Sequence, residues 1–166
     1  MRKGDASGPS PLPLPFPPSR RPARRNENPM SVAKAVNHIG IAVHSIDAHR
    51  PFYEGALGAL FEGVEVVADQ KVRVGFFRVG DVRFELLEPT EPASTVAAFL
   101  EKRGEGLHHV ALTVEDLESR ITELKQSGVR MIDEAPRPGA HHMQIAFLHP
   151  KSSFGVLTEL CEPAGS

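Results

Sequence analysis

Residues 36–43, VNHIGIAV, and residues 107–114, LHHVALTV, align at an offset of 71 that places His38 on His109. At the same offset Val72–Phe77, VRVGFF, falls on Met143–Leu148, MQIAFL. After three inserted residues, Glu85–Pro89, ELLEP, falls on Glu159–Pro163, ELCEP, with four of the five positions identical. Matches in this order mean that one module occurs twice, and repeats of this kind determine a fold before any single element does.

Each copy reads as a strand, a helix and three further strands, so the chain is expected to be α+β, with two paired βαβββ modules. Module one covers about 35–90 and module two about 106–163, within a single domain of residues 31–166. In the first strand Ile39, Ile41 and Val43 alternate with His38, Gly40 and Ala42. In the second copy Val110, Leu112 and Val114 alternate with His109, Ala111 and Thr113. The histidine's face is otherwise small in both copies, which suits a concave, ligand-holding surface better than a packed core. His108 is expected on the opposite face of its strand, as a structural residue.

Helices are expected to begin near Asp47 and Asp116, both good N-caps. Pro51 would sit in the opening turn of the first, with Phe52, Ala56 and Leu57 turned inward. Leu117, Ile121 and Leu124 form the stripe of the second, and Gly128 ends it. Between the modules Ser94 caps a linking helix over about 94–103, and Gly104 and Gly106 then free the chain.

The first thirty residues are of different composition. Eight of the 15 prolines lie between Met1 and Pro29, with no helical or strand period, so a disordered Pro/Arg-rich extension is expected. Met30 stands just before the first strand, and translation is expected to start there. Lys+Arg number 19 and Asp+Glu 21, a net charge of -2, which leaves no basic excess for nucleic acid or an anionic membrane. No apolar run approaches the roughly 18 residues that cross a bilayer. The single cysteine, Cys161, excludes an intramolecular disulfide and fits a reducing compartment, so the expected location is cytoplasmic.

If the modules pair about a pseudo-twofold axis, His38 and His109 become mates, as do Glu85 and Glu159. An isolated strand histidine is usually a hydrogen-bonded core residue, and an isolated strand glutamate usually faces water. Equivalent placement in two repeats, within otherwise apolar strands, argues instead for a shared metal site. Two imidazoles and two carboxylates suit a divalent Co, Mn, Ni, Fe or Zn ion. Cys161 reads as a small apolar filler beside that site, and His44 and His49 as surface residues.

The paired modules and the His/Glu/His/Glu set resemble the vicinal oxygen chelate superfamily, whose members curl a mixed sheet into a cup around a divalent metal. The resemblance covers residues 36–162. The strings NHIGIAV, FELLEP, FLEKRGEGLHHVAL, GVRMIDEAPRPGA and IAFLHPKSSFGVLTEL are similar to those of the methylmalonyl-CoA epimerases. That resemblance implies His38, Glu85, His109 and Glu159 as metal ligands, Glu85 ranking last because some members carry Gln there. It also implies methylmalonyl-CoA as substrate, inversion at C2 through a metal-stabilised enolate, and a homodimer. Glu159 would be one acid/base group. Members carry another glutamate on the third strand of module one, but Val72–Phe77 holds no acid, which leaves Glu85 or a relaying water for the second. His141 and His142 replace a Gly-rich pair and are expected to be exposed loop residues. The alternatives are a glyoxalase I acting on a glutathione hemithioacetal, and a non-catalytic binding or resistance protein with the same cup.

Overall fold

The computed structural model describes residues 32–165; the expectations for the Pro-rich extension and for Met30 lie outside the described residues. Module one runs β1 (Ala35–Ala42), α1 (Ile46–Arg50), β2 (Leu60–Val67), β3 (Val72–Val79) and β4 (Val82–Pro89). The linking helix is α2 (Thr95–Arg103). Module two runs β5 (Gly106–Thr113), α3 (Leu117–Gln126), β6 (Arg137–Pro138), β7 (Met143–Leu148) and β8 (Thr158–Pro163). All eight strands join one mixed sheet in the order β2-β3-β4-β1-β5-β8-β7-β6, the curled α+β architecture that the repeat implied. The three inserted residues fall in the hairpin loop between β7 and β8.

The modules meet along β1 and β5, which pair antiparallel. His38 faces Ala111 and Gly40 faces His109, two pairings that exchange under the 71-residue offset. Ile39 faces Val110 and maps onto itself, so the pseudo-twofold axis passes there. The register slips between Val36 and His38 on β1, and again where Gly40 and Ile41 oppose His109 and Leu107. Asn37 and His108 are thus the extra residues of two β-bulges, and they are mates under the same offset. A bulge re-aims side chains. It brings His108 to line the concave side with His109, which corrects the expected opposite face: strict period-two alternation does not survive an extra residue.

Helices α1 and α3 cover the outer face of each half, and α2 packs Val96 and Leu100 against Val72, Val74 and Leu87 on the cavity side. Ile46 and Tyr53 pack with Val43, Phe77 and Leu86, while Leu117 and Ile121 pack with Val114, Ala146 and Leu160. Full burial of a Phe or Leu of this kind contributes about 1.5–3 kcal/mol. Asp116 caps α3 as expected, accepting from Ser119 N at 3.2 Å, and Ser94 caps α2 through Val96 N at 3.2 Å.

The first helix differs from its reading. Its cap is Ser45, whose hydroxyl accepts from Ala48 N at 3.2 Å, so the helix starts before Asp47. Pro51 consequently lies past the first turn. Lacking an N–H for the α-helical ladder, it opens a π-helical stretch over Pro51–Ala56 that ends with Leu57 N donating to Phe52 O. Ile46 faces inward from the α-helical turn, and the altered phase after Pro51 turns Tyr53 inward and leaves Phe52 at 54 % and Leu57 at 51 % exposure, with Ala56 exposed as well.

Ile46 of α1 packs closely over Gly75 of β3, where an added methyl would lie 2.7 Å from Ile46 Cγ2. Gly75→Ala is therefore expected to cost about 1–3 kcal/mol through overpacking. A lower urea midpoint at unchanged slope checks this, and an unshifted midpoint contradicts it.

Candidate metal centre

Four ionisable side chains are buried on the concave face: His38 at 6 %, Glu85 at 6 %, His109 at 4 % and Glu159 at 4 % exposure. Each comes from a different strand. In the parallel pairs Glu85 lies opposite Gly40 and Glu159 opposite Ala111, so each glutamate enters the face two residues along from its module's histidine. Antiparallel pairing sets Phe76 beside Glu85 and Phe147 beside Glu159, giving each carboxylate the same apolar neighbour.

The two imidazoles converge at Nε2, 3.0 Å apart. Glu159 spans them, with Oε1 3.6 Å from His38 Nε2 and Oε2 3.5 Å from His109 Nε2. Glu85 approaches from the other side, its Oε1 3.5 Å from His38 Nδ1. The structure therefore gathers all four expected residues, with Glu85 the one set apart from the ring pair. The contact has a steric condition: an added Cβ at Gly40 would lie 2.2 Å from His109 Cε1, so the His109 ring occupies the space of a missing side chain.

The bulge residues support the rings. Asn37 Nδ2 donates to Thr113 Oγ1 at 3.1 Å, which orients its amide so that Oδ1 meets His38 Nδ1 at 3.0 Å. A proton on His38 Nδ1 leaves Nε2 with a free lone pair. His108 Nδ1 meets His109 Nδ1 at 3.0 Å, the equivalent support on the other side. Sequence reading missed both residues as partners. The signal was the offset itself, because Asn37 and His108 precede the two aligned histidines.

Electrostatics follow from burial. Burial and then Arg83 lower the pKa of His38 to about 4; burial, His38 and His108 hold His109 well below its usual 6.5. Burial and then Glu85 raise Glu159 to about 8, and burial is the main cause that raises Glu85 to about 7. Neutral imidazoles with aligned lone pairs and carboxylates short of compensating charge form a donor set that a divalent cation satisfies. The nitrogen spacing fits, since two nitrogens about 2.1 Å from one ion at right angles lie about 3.0 Å apart. A group formed by His38, Glu159 and Cys161 also brings its ligand atoms within 4.8 Å of one another. Cys161, however, is packed among Ala111, Ile145 and Phe147, its thiol donates toward Leu112 O at 3.5 Å, and burial raises its pKa to about 12. It remains a thiol, a poor ligand next to the carboxylates.

The four residues sit in a cavity of about 210 Å³ whose walls include Val67, Val72, Val74, Ile145, Phe147 and Leu157. This volume admits a short acyl group. His108 and His141 line it too, together with Arg83 and Arg137. His141 was expected in an exposed loop; instead its ring meets Phe76 edge-on with centroids 4.0 Å apart. His142 and His44 are exposed and His49 is half-buried.

Residues 37–147 match the glyoxalase/bleomycin resistance protein/dioxygenase superfamily. The uncharacterized protein YqjC of Bacillus subtilis is 48% identical over 130 residues, covering 78% of this chain and 93% of its own. The mitochondrial methylmalonyl-CoA epimerase of Homo sapiens is 35% identical over 126 residues, covering 75% of this chain and 72% of its own. The crystal structure of methylmalonyl-CoA epimerase from Mycobacterium tuberculosis superimposes with a TM-score of 0.80 at 35% identity, covering 85% of this chain and 95% of that one. The chain belongs to the glyoxalase/bleomycin resistance protein/dioxygenase superfamily and is a homologue of its methylmalonyl-CoA epimerases.

Proposed function

We propose that this chain is a metal-dependent epimerase that interconverts (S)- and (R)-methylmalonyl-CoA by removing and returning the proton at C2. The observation that carries the reading is the His38/His109/Glu159 convergence at the floor of a small apolar cavity, in a chain homologous to enzymes of that name. His38, His109 and Glu159 would hold the cation, with Glu85 as the weaker fourth ligand. Two nitrogens and two oxygens suit Co, Mn, Ni, Fe or Zn. The cation supplies positive charge against the charge that develops on a thioester oxygen as the C2 proton leaves.

The chain's own groups do the remaining work. Asn37 and His108 fix the ring planes, so little reorganisation is needed during reaction. The apolar walls exclude water from the reacting carbon, and Arg83 and Arg137, which line the cavity and pair with Glu62 and Asp133, can turn an N–H toward the substrate's free carboxylate. Glu159 is the first proton carrier. Burial raises its pKa to about 8 in the cation-free protein, and a bound cation would lower it again toward the ordinary carboxylate range. No helix among the described residues is long and apolar enough to cross a membrane; a cytoplasmic homodimer belongs to the same proposal.

Proton and cation compete for these carboxylates, which gives the cation-free protein a distinctive pH dependence. Folded Glu159 and Glu85 keep their protons to about pH 8 and 7, whereas the unfolded chain releases them near 4.5. The folded state binds more protons between those values, so stability falls as pH rises through the window. His38 acts oppositely, but only between about 4 and 6.5. Melting temperature in chelator is thus expected to fall from pH 6.5 to 8, with Glu159→Gln flattening the slope; a flat wild-type profile contradicts this.

The reaction itself is tested by incubating Co- or Mn-loaded protein with one epimer of methylmalonyl-CoA in deuterated water. Deuterium at C2 together with the other epimer is expected, and His109→Ala or Glu159→Ala should remove both, a loss of at least about 100-fold. Metal-loaded protein that exchanges nothing would sink the proposal, and methylglyoxal with glutathione would then be the next substrate to try.

A further inference from the structure

Inversion at a carbon needs a proton carrier on each face. Glu159 stands on the β8 wing of the cup. Among the other titratable groups that line the cavity, Arg83 and Arg137 keep their protons, and His108 is committed to His109 at 3.0 Å. Glu85 stands 3.5 Å from His38 Nδ1 and is the rival carrier that full inversion by a His141 variant would indicate. His141 lies on the wing opposite Glu159: its ring rests on Phe76 of β3, and β3 is four strands from β8 in the sheet order.

Its placement is built. The backbone N–H of His141 donates to Glu65 Oε2 at 3.0 Å, and Glu65 faces Val74 across the β2–β3 pair. A loop of module two is thereby tied to the edge strand of module one. The cost is backbone strain, with φ of 54° at His141 and 55° at His142, two consecutive non-glycine residues in the left-handed region. Strain of this kind costs on the order of 1–3 kcal/mol per residue and gathers where a side chain must be aimed.

We infer that His141 is the second acid/base group of the epimerase proposed above, an inference that rests on that reading. In one direction Glu159 takes the C2 proton and the C–H electron pair passes into the enolate. C2 then takes a proton from the His141 imidazolium on the other face. The net change is one proton moved from His141 to Glu159; the reverse turnover, or exchange with solvent, restores both.

The test uses metal-loaded protein and each epimer separately in deuterated water. Asn tolerates positive φ well, so His141→Asn should fold; His141→Gly, which relieves the strain outright, provides a second variant with the same readout. Wild type is expected to exchange and invert both epimers, and if it does neither, the epimerase reading itself fails. With wild type active, His141→Asn should keep its metal content and melting temperature while inversion falls at least about 100-fold. Deuterium should still enter C2 of one epimer without inversion, because one carrier remains. Inversion by the variants within a few-fold of wild type overturns the assignment. So does loss of exchange from both epimers together with inversion, which would mark a merely structural residue.

Discussion

The antiparallel pairing of β1 with β5 is the constraint on which the site depends. A strand pair with regular register would send His38 and His109 to the concave face but leave their neighbours pointing away. Two bulges, at Asn37 and His108, break the alternation at equivalent points about the axis through Ile39 and Val110. Each gives its histidine a hydrogen-bond partner from the preceding residue, at 3.0 Å in both cases. The Nε2 atoms then have one place to go, toward each other. Parallel pairing of β4 and β8 on the outer sides of this ribbon adds one glutamate from each half.

Such a cluster is costly for the folded chain. Two carboxylates and two imidazoles are nearly removed from water, and burial pushes every one of their pKa values toward the neutral form. Isolated buried charge is expensive, so a cluster of this kind persists where something compensates it. The surrounding small residues show that the chain makes room for it. Gly40 yields its side-chain volume to the His109 ring, and Ala111, the residue opposite His38, is fully buried. Helices α1 and α3 meanwhile pack on the outer face in two apolar clusters, while α2 packs Val96 and Leu100 against Val72, Val74 and Leu87 and so builds part of the cavity wall.

Much of this was legible in the chain because duplication makes each position testify twice. His38 with His109 and Glu85 with Glu159 stood out through their common offset, and so did the βαβββ order. What escaped depends on facts that a single strand or helix does not carry. The face of His108 depends on the register of its partner strand. The phase of α1 depends on a competition between Ser45 and Asp47 for the cap, and then on the response of the ladder to Pro51. His141 was read as loop because its anchors, Glu65 and Phe76, belong to the other module and lie 76 and 65 positions earlier in the chain. Strand β6, only two residues long, has no period to recognise.

The duplicated fold is symmetric in its skeleton and asymmetric where chemistry would occur. Phe76 and Phe147 are mates and flank the two carboxylates alike. Yet Phe147 carries the Arg137 guanidinium at 5.4 Å, whereas Phe76 carries the His141 ring at 4.0 Å. For the proposed reaction this division is apt. Epimerisation asks for the same act, proton transfer, from two opposed directions, and two wings of one repeated module supply opposed directions by construction. The substrate is not symmetric, however, because a free carboxylate and a thioester flank the reacting carbon. Each wing holds one proton carrier of the proposed reaction, Glu159 on one and His141 on the other, while the groups laid on the two equivalent phenylalanines differ, the Arg137 guanidinium on Phe147 and the His141 ring on Phe76, without altering the frame that holds the histidines.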